Sequence, residues 1–355
     1  MLMTPGPTEI PKSVRKAMSK KILNPDIDTE FFEFYHGLEK KVKEVYRTED
    51  DVLILGGEGI LGLEAAVASL IDKEDKVLCI SNGIYGDGFA DFVKMYGGEP
   101  VMVRSSYDNS LNVEEVEKRL DEDEFKAATM VHCETPTGVL NDLGEILEML
   151  EDHGVLSIVD AVSSLGGTEV PVDMMDICIG GSQKCFSSPP GLTTISISER
   201  AWKVMEDKEQ NSYYTNLPIW KDMWFGDEYF PYTHLVSNLY ALDESIDIIL
   251  KEGLENVFDR HESMAVLCRE RVHEMDLDIY PSEESLSSPT VTAIKMDGKA
   301  LKVQKKMKKE HDILLATSLG DLENEILRIG HMGHNAYEEK VVRTMDALED
   351  VLDGM

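Results

Sequence analysis

Positive charge is scarce in this sequence: 35 lysines and arginines face 68 aspartates and glutamates, a formal net charge of −33. A surface of that sign repels polyanions, which excludes nucleic acid as a general partner and disfavours an anionic membrane face. Long apolar runs are also missing. The longest are strand-sized, such as Lys76–Ile80, and none approaches the roughly 18 apolar residues that a membrane span needs. Met1–Thr8 shows no basic region followed by an apolar core, so the expected location is the cytoplasm. Cysteines are few and far apart (Cys79, Cys133, Cys178, Cys185, Cys268), with no CxxC pair. That pattern predicts free thiols in a reducing compartment and argues against zinc. His331 and His334 form an HxxH without a third ligand, so no metal is expected.

Apolar content is ample, at 42% of residues, which excludes intrinsic disorder and permits two or three domains. From about residue 50, short apolar runs alternate with amphipathic segments. Asp51–Leu55, Lys76–Ile80, Glu99–Val103, Ala127–His132, Val155–Asp160, Met175–Gly180 and Thr193–Ser198 read as strands. Leu61–Ile71, Phe89–Met95, Val113–Leu120 and Gly144–Asp152 between them carry helical spacing. This alternation predicts an α/β fold with a mostly parallel sheet flanked by helices, its ligand site at the strands' carboxyl ends. An aromatic loop follows (Tyr213 to Tyr232), expected to be exposed and to mark an interface, then helices at His234–Leu250 and Leu254–Met275. The remainder reads as a smaller α+β unit: strands at Thr290–Lys295, Ile313–Leu315 and Ile326–Ile329, with helices at Lys299–Lys309 and from Ala336.

One lysine is oddly placed for a solubilising charge. Lys184 lies in Gly180-Gly-Ser-Gln-Lys-Cys185, at a strand end lined by glycine and serine. Upstream, Asp160 ends a Val-rich strand in Val159-Asp-Ala-Val-Ser-Ser-Leu-Gly-Gly167. A lysine and an acid at adjacent strand ends fit a pyridoxal 5′-phosphate site, where the lysine forms a Schiff base and the acid pairs with the protonated pyridine nitrogen.

With these residues the chain resembles the class V aminotransferases of pyridoxal phosphate fold type I, in the alanine–glyoxylate and serine–glyoxylate (serine–pyruvate) branch. The likeness runs in collinear order through Thr4-Pro-Gly-Pro-Thr8, Asn82-Gly-Ile-Tyr-Gly86, His132-Cys-Glu-Thr-Pro-Thr-Gly138, Val159–Gly167, Gly181-Ser-Gln-Lys184 with Pro189-Pro-Gly191, Leu239-Tyr-Ala-Leu242, and Arg328-Ile-Gly-His-Met-Gly333. It implies an arm at residues 1–20 lining the active site, a large cofactor domain at 21–252 and a small C-terminal domain at 253–355. Lys184 and Asp160 are then catalytic. Tyr85 stacks on the ring, Val162 packs on its other face and Thr135 meets its phenolic oxygen. Gln183 touches the phosphate, Gly59 and its neighbours Glu58 and Ile60 form the phosphate cradle, and Thr233 reaches the cofactor of a partner subunit. Arg328 grips the substrate carboxylate, and Gly6 lines its pocket. The implied activity moves an amino group between alanine or serine and glyoxylate or pyruvate, in a homodimer with shared sites.

The cradle departs from the family pattern. Relatives usually carry glycine-serine-glycine and then a threonine or histidine at a helix N-terminus; here the stretch is Gly56-Gly-Glu-Gly-Ile60. Gly88 replaces a frequent arginine, and Phe230 replaces an aromatic that frequently bears a hydroxyl. Glu58 either turns outward or caps the helix, is neutralised by a cation or reads an unusual substrate, or marks weak pyridoxal phosphate binding or a non-catalytic relative. A lyase or cysteine desulfurase of the same fold is the rival enzyme, and it needs a nucleophilic cysteine on a mobile loop.

Overall fold

The computed structural model describes residues 1–355. In chain order its first strands are β1 (Asp51–Gly56), β2 (Lys76–Ser81), β3 (Glu99–Arg104), β4 (Ala127–Val131), β5 (Cys133–Glu134), β6 (Val139–Leu140), β7 (Leu156–Asp160), β8 (Ile177–Gly181) and β9 (Leu192–Ile197). Seven of them form one sheet, ordered β1-β9-β8-β7-β4-β2-β3, with β5 and β6 a separate two-stranded ribbon. Only β9 runs antiparallel to its neighbours. The central strands are buried along their whole length, as continuous apolar runs covered on both faces must be.

The covering helices are α1 (Lys12–Ala17), α2 (Thr29–Tyr46), α3 (Gly59–Leu70), α4 (Ile84–Met95), α5 (Val113–Glu122), α6 (Gly144–Asp152), α7 (Glu199–Glu206), the short α8 (Pro218–Trp220) and α9 (Val236–Glu252). Local capping sets several of their starts: Asp28, Asn112 and Ser198 each accept a backbone N–H of the first turn. The pattern of alternation does not reveal α2. This helix buries Phe31, Tyr35, Leu38, Val42 and Val45 at helical spacing, but its aromatic and β-branched residues are weak helix formers.

That helix also explains why the aromatic segment is not the exposed loop that its composition predicts. Trp220, Trp224 and Phe230 are buried; Trp224 stacks on Phe230 at 4.5 Å, and Tyr35 of α2 meets both edge-on. The cluster is core, and only Tyr213, Tyr214 and Tyr229 stay exposed.

Beyond Gly253 come α10 (Leu254–Glu274), β10 (Thr292–Lys295), α11 (Ala300–His311), β11 (Ala316–Thr317), β12 (Ile326–Ile329) and α12 (Glu338–Asp353), with an antiparallel sheet ordered β10-β12-β11. Strand β11 lies later than the expected Ile313–Leu315, because Leu314 pairs instead with Leu2 of the N-terminal segment. This unit has its own apolar cluster, and Met3 is buried in it. The first residues are thus fastened to the C-terminal unit, and the chain must cross the space between the two sheets to reach α1. No helix is long and apolar enough to cross a membrane.

Candidate active site

The crossing and the strand ends meet at one pocket of about 340 Å³, its open mouth included. Glu58, Gly59, Ile60, Leu63, Tyr85, Thr135, Asp160, Val162, Ser163, Gln183 and Lys184 line it. Each arrives from the carboxyl edge of a strand: Asp160 ends β7, Gln183 and Lys184 follow β8, and Glu58 follows β1. Tyr85 sits in the first turn of α4. Of the residues expected at the cofactor, Thr233 is the exception. It is exposed, and its hydroxyl donates to Asp26 Oδ2 at 3.3 Å, outside the pocket of its own chain.

Lys184 is buried, and its Nζ donates to the Pro5 carbonyl at 2.6 Å. Burial, and then the nearby Arg328 guanidinium, lower its pKa to about 8, against the pull of Asp160. The N-terminal arm is what seals it. Thr8 N–H donates to the Gln183 carbonyl at 3.1 Å, and Gly6, at φ +102°, passes so close that a Cβ there would lie 2.4 Å from Lys184 Cδ. Gly6 therefore faces the lysine stem. Asp160 is fixed by the Val162 N–H, which donates to Oδ1 at 2.8 Å, while burial raises its pKa to about 6. An acid so placed is ready to be held ionised by a cationic partner. Thr135 is hydrogen-bonded to the Ser163 hydroxyl.

Arg328, on β12, is buried behind these groups. Its Nη1 donates to the Thr135 carbonyl at 3.1 Å, and its Nε and Nη2 donate to the Thr317 carbonyl at 2.9 and 2.5 Å. Burial lowers its pKa to about 10, and two of its five N–H groups are left free for a carboxylate. Two contributors escaped the sequence reading. Pro5 matters through its carbonyl, which leaves no trace in sequence. Glu134 is fully buried and accepts the N–H groups of Tyr85 and Gly86 at 3.3 and 2.6 Å, fixing the turn that carries Tyr85. A lone acid in the otherwise uncharged Cys133–Val139 stretch was the available signal.

The residues fit the two halves of pyridoxal phosphate unequally. For the ring there is an acid, an amine, a hydroxyl and apolar faces, and Gln183 Oε1 is buried without a partner. At the cradle, Glu58 caps α3 by accepting the Ile60 N–H at 3.0 Å through its own carboxylate. One of the backbone donors on which a phosphate would rest, the Ile60 N–H, is therefore already taken, by a carboxylate.

A two-unit α/β fold with a buried lysine and carboxylate on neighbouring strand ends, and an arginine reaching in from the smaller sheet, defines a carbonyl–amine enzyme acting on carboxylates. The Aminotransferase class-V family model matches residues 1–322, and the chain belongs to that family, whose members in general depend on pyridoxal phosphate. It is 35% identical over 354 residues to an uncharacterized aminotransferase of Methanocaldococcus jannaschii, covering 98% of this chain and 91% of the relative. The crystal structure of pyridoxamine–pyruvate aminotransferase from Mesorhizobium loti superposes with a TM-score of 0.96 at 31% identity, covering 100% of this chain and 92% of that one. An alanine–glyoxylate aminotransferase from Nostoc gives 0.95 at 27% identity, covering 99% and 94%. The fold is that of class V aminotransferases. Against the desulfurase alternative, all five cysteines are buried and free, and burial pushes every thiol pKa up.

Proposed function

We propose that the protein moves an amino group between a small amino acid, alanine or serine, and a small 2-oxo acid, glyoxylate or pyruvate, using Lys184 as the covalent handle for a pyridoxal ring. The observation that carries this reading is the buried Lys184 amine in one pocket with Asp160, its pKa lowered to about 8. When bound, the protonated ring supplies an electron sink for the bond to be broken. The chain's residues do the rest. Lys184, part of whose amine is neutral, would hold the ring covalently through its Nζ, and the same amine would serve as the base that moves the substrate Cα proton. Asp160 holds the ring nitrogen protonated. Arg328 orients the 2-oxo acid through its free N–H groups, and Val162 and Tyr85 exclude water from the ring faces.

The names of the two structural relatives share a small 2-oxo acid, pyruvate or glyoxylate, and differ in the amino donor. A homodimer belongs to the reading, because Thr233, exposed and outside its own pocket, acts only from a partner subunit. Borohydride reduction in the presence of a pyridoxal aldehyde should leave the ring on the Lys184 peptide, and Lys184→Ala should take up none and lose transfer on the order of 1,000-fold. A Lys184→Ala protein with full turnover overturns the assignment. A panel of alanine and serine against glyoxylate and pyruvate then fixes the pair.

A further inference from the structure

We propose that the pocket takes pyridoxal and pyridoxamine without their phosphate, as substrates that enter and leave, in place of a resident phosphate ester; this rests on the Lys184 reading above.

The cradle is chemically inverted. Glu58 presents a carboxylate at the N-terminus of α3, and its Oε2 accepts the Ile60 N–H at 3.0 Å. One first-turn donor, the Ile60 N–H, and the favourable helix-end charge already serve this side chain, so an incoming phosphate meets a carboxylate where it would rest. No cation compensates, since Lys184 is the only basic residue lining the pocket and it is committed to the aldehyde. Gly88 offers no side chain, and Phe230 lies within the aromatic core without a hydroxyl. A carboxylate about 5 Å from a phosphate dianion, at a partly screened pocket mouth, weakens binding on the order of 100-fold. A primary alcohol meets no such repulsion. Gln183, buried with Oε1 unpaired, can serve an alcohol in either amide orientation because a hydroxyl both donates and accepts; a phosphate dianion only accepts.

The missing anchor also decides whether the ring stays. In its aldehyde form the ring is tethered covalently to Lys184. In its amine form that tether is gone, and a phosphate grip would be the remaining strong hold. Without it the amine departs as a product. The reaction balances with no outside oxidant: pyridoxamine gives its nitrogen to the 2-oxo acid, the aminomethyl carbon is oxidised to the aldehyde, and the oxo carbon is reduced to the amino carbon. One water is released on condensation and one is consumed on hydrolysis.

The test is binding to the full-length protein freed of ring compounds, read by absorbance of the Lys184 adduct and by mass spectrometry after borohydride trapping. Pyridoxal should be trapped on Lys184, with pyridoxal 5′-phosphate on the order of 100-fold weaker and lost on dialysis. Glu58→Ser keeps a helix-capping side chain, and should gain phosphate-ester affinity relative to pyridoxal by a similar factor. With pyridoxamine and pyruvate, many equivalents of pyridoxal should appear per subunit. If wild-type protein retains the phosphate ester through dialysis, or Glu58→Ser leaves the preference unchanged, the proposal fails while the Lys184 reading stands. If neither compound is trapped on Lys184, both fall.

Discussion

Lys184 and Arg328 are two buried cations in one site, and each makes the other's charge costlier. Burial and Arg328 together bring the lysine pKa to about 8. At pH 7 roughly one amine in ten is then neutral, against fewer than one in a thousand for an ordinary lysine. The rate of adduct formation with a pyridoxal aldehyde should therefore rise about tenfold between pH 7 and 9, bending near 8, in stopped-flow absorbance. Arg328→Leu should move that bend upward, since the repelling charge is gone, and raise the KM for the 2-oxo acid on the order of 100-fold. Arg328→Lys keeps the charge, so the bend should stay while KM still rises. A bend unmoved in Arg328→Leu would mean that burial alone sets the lysine. At this scale the sequence was most informative: Lys184, Asp160 and Arg328 each declared themselves in short motifs. What it could not show is that the Pro5 carbonyl, from the far end of the chain, is the group that holds the lysine.

The difference between local and distant contacts is clearer among the elements. Glu58 caps α3 from two residues away, and the capping option was readable from an acid placed before an apolar helix. The start of α4 has a cap as well, but it comes from Glu134, 48 residues beyond Gly86, through the β5–β6 ribbon. No window along the chain contains both partners. Helix α2 was hidden for a related reason, since its fit to the aromatic segment 213–232 exists only after folding. Burial raises the Glu134 pKa to about 8, against the lowering effect of the Gly86 and Tyr85 N–H groups. Between about pH 4.5, the unfolded value, and pH 8, the folded protein then binds more protons at this site, so stability falls as pH rises through that window. Glu134→Gln retains one acceptor for Gly86 and cannot titrate. Its stability should decline less than wild type between pH 5 and 8, by up to about 4 kcal/mol in urea unfolding of the ring-free protein. Parallel profiles for the two proteins would show that the carboxyl stays ionised on its two N–H donors.

For the whole molecule, the large acidic excess sets a problem that a proposed dimer has to solve. Each subunit carries −33, so two copies repel each other over the Debye length, about 10 Å at 0.1 M salt and 3 Å at 1 M. The attraction must be apolar, and exposed apolar side chains are available near Thr233. Ile27 is 78% exposed and Leu235 45%, and Thr233, two residues before Leu235, bonds to Asp26, the neighbour of Ile27. A Cβ added at Gly56 or at Gly191 would meet the Leu235 side chain at 3.7 or 3.8 Å, and Ile60, which lines the pocket, is 39% exposed. In the proposed dimer we place the apolar contact at these residues, next to Thr233. The resemblance implied such a dimer, and the aromatic segment was expected to be exposed; Trp220, Trp224 and Phe230 are instead buried, because aromatic composition cannot distinguish Trp224 in a core from a tyrosine on a surface. On this argument dimer affinity should rise at least about tenfold between 0.05 and 1 M potassium chloride in sedimentation velocity, as screening removes the repulsion and leaves the apolar term. Leu235→Glu should sediment as a monomer at low salt and bind pyridoxal more weakly, with its circular dichroism unchanged. A wild-type chain that is monomeric at 1 M salt yet transfers amino groups at full rate would show that the pocket is complete without a second copy.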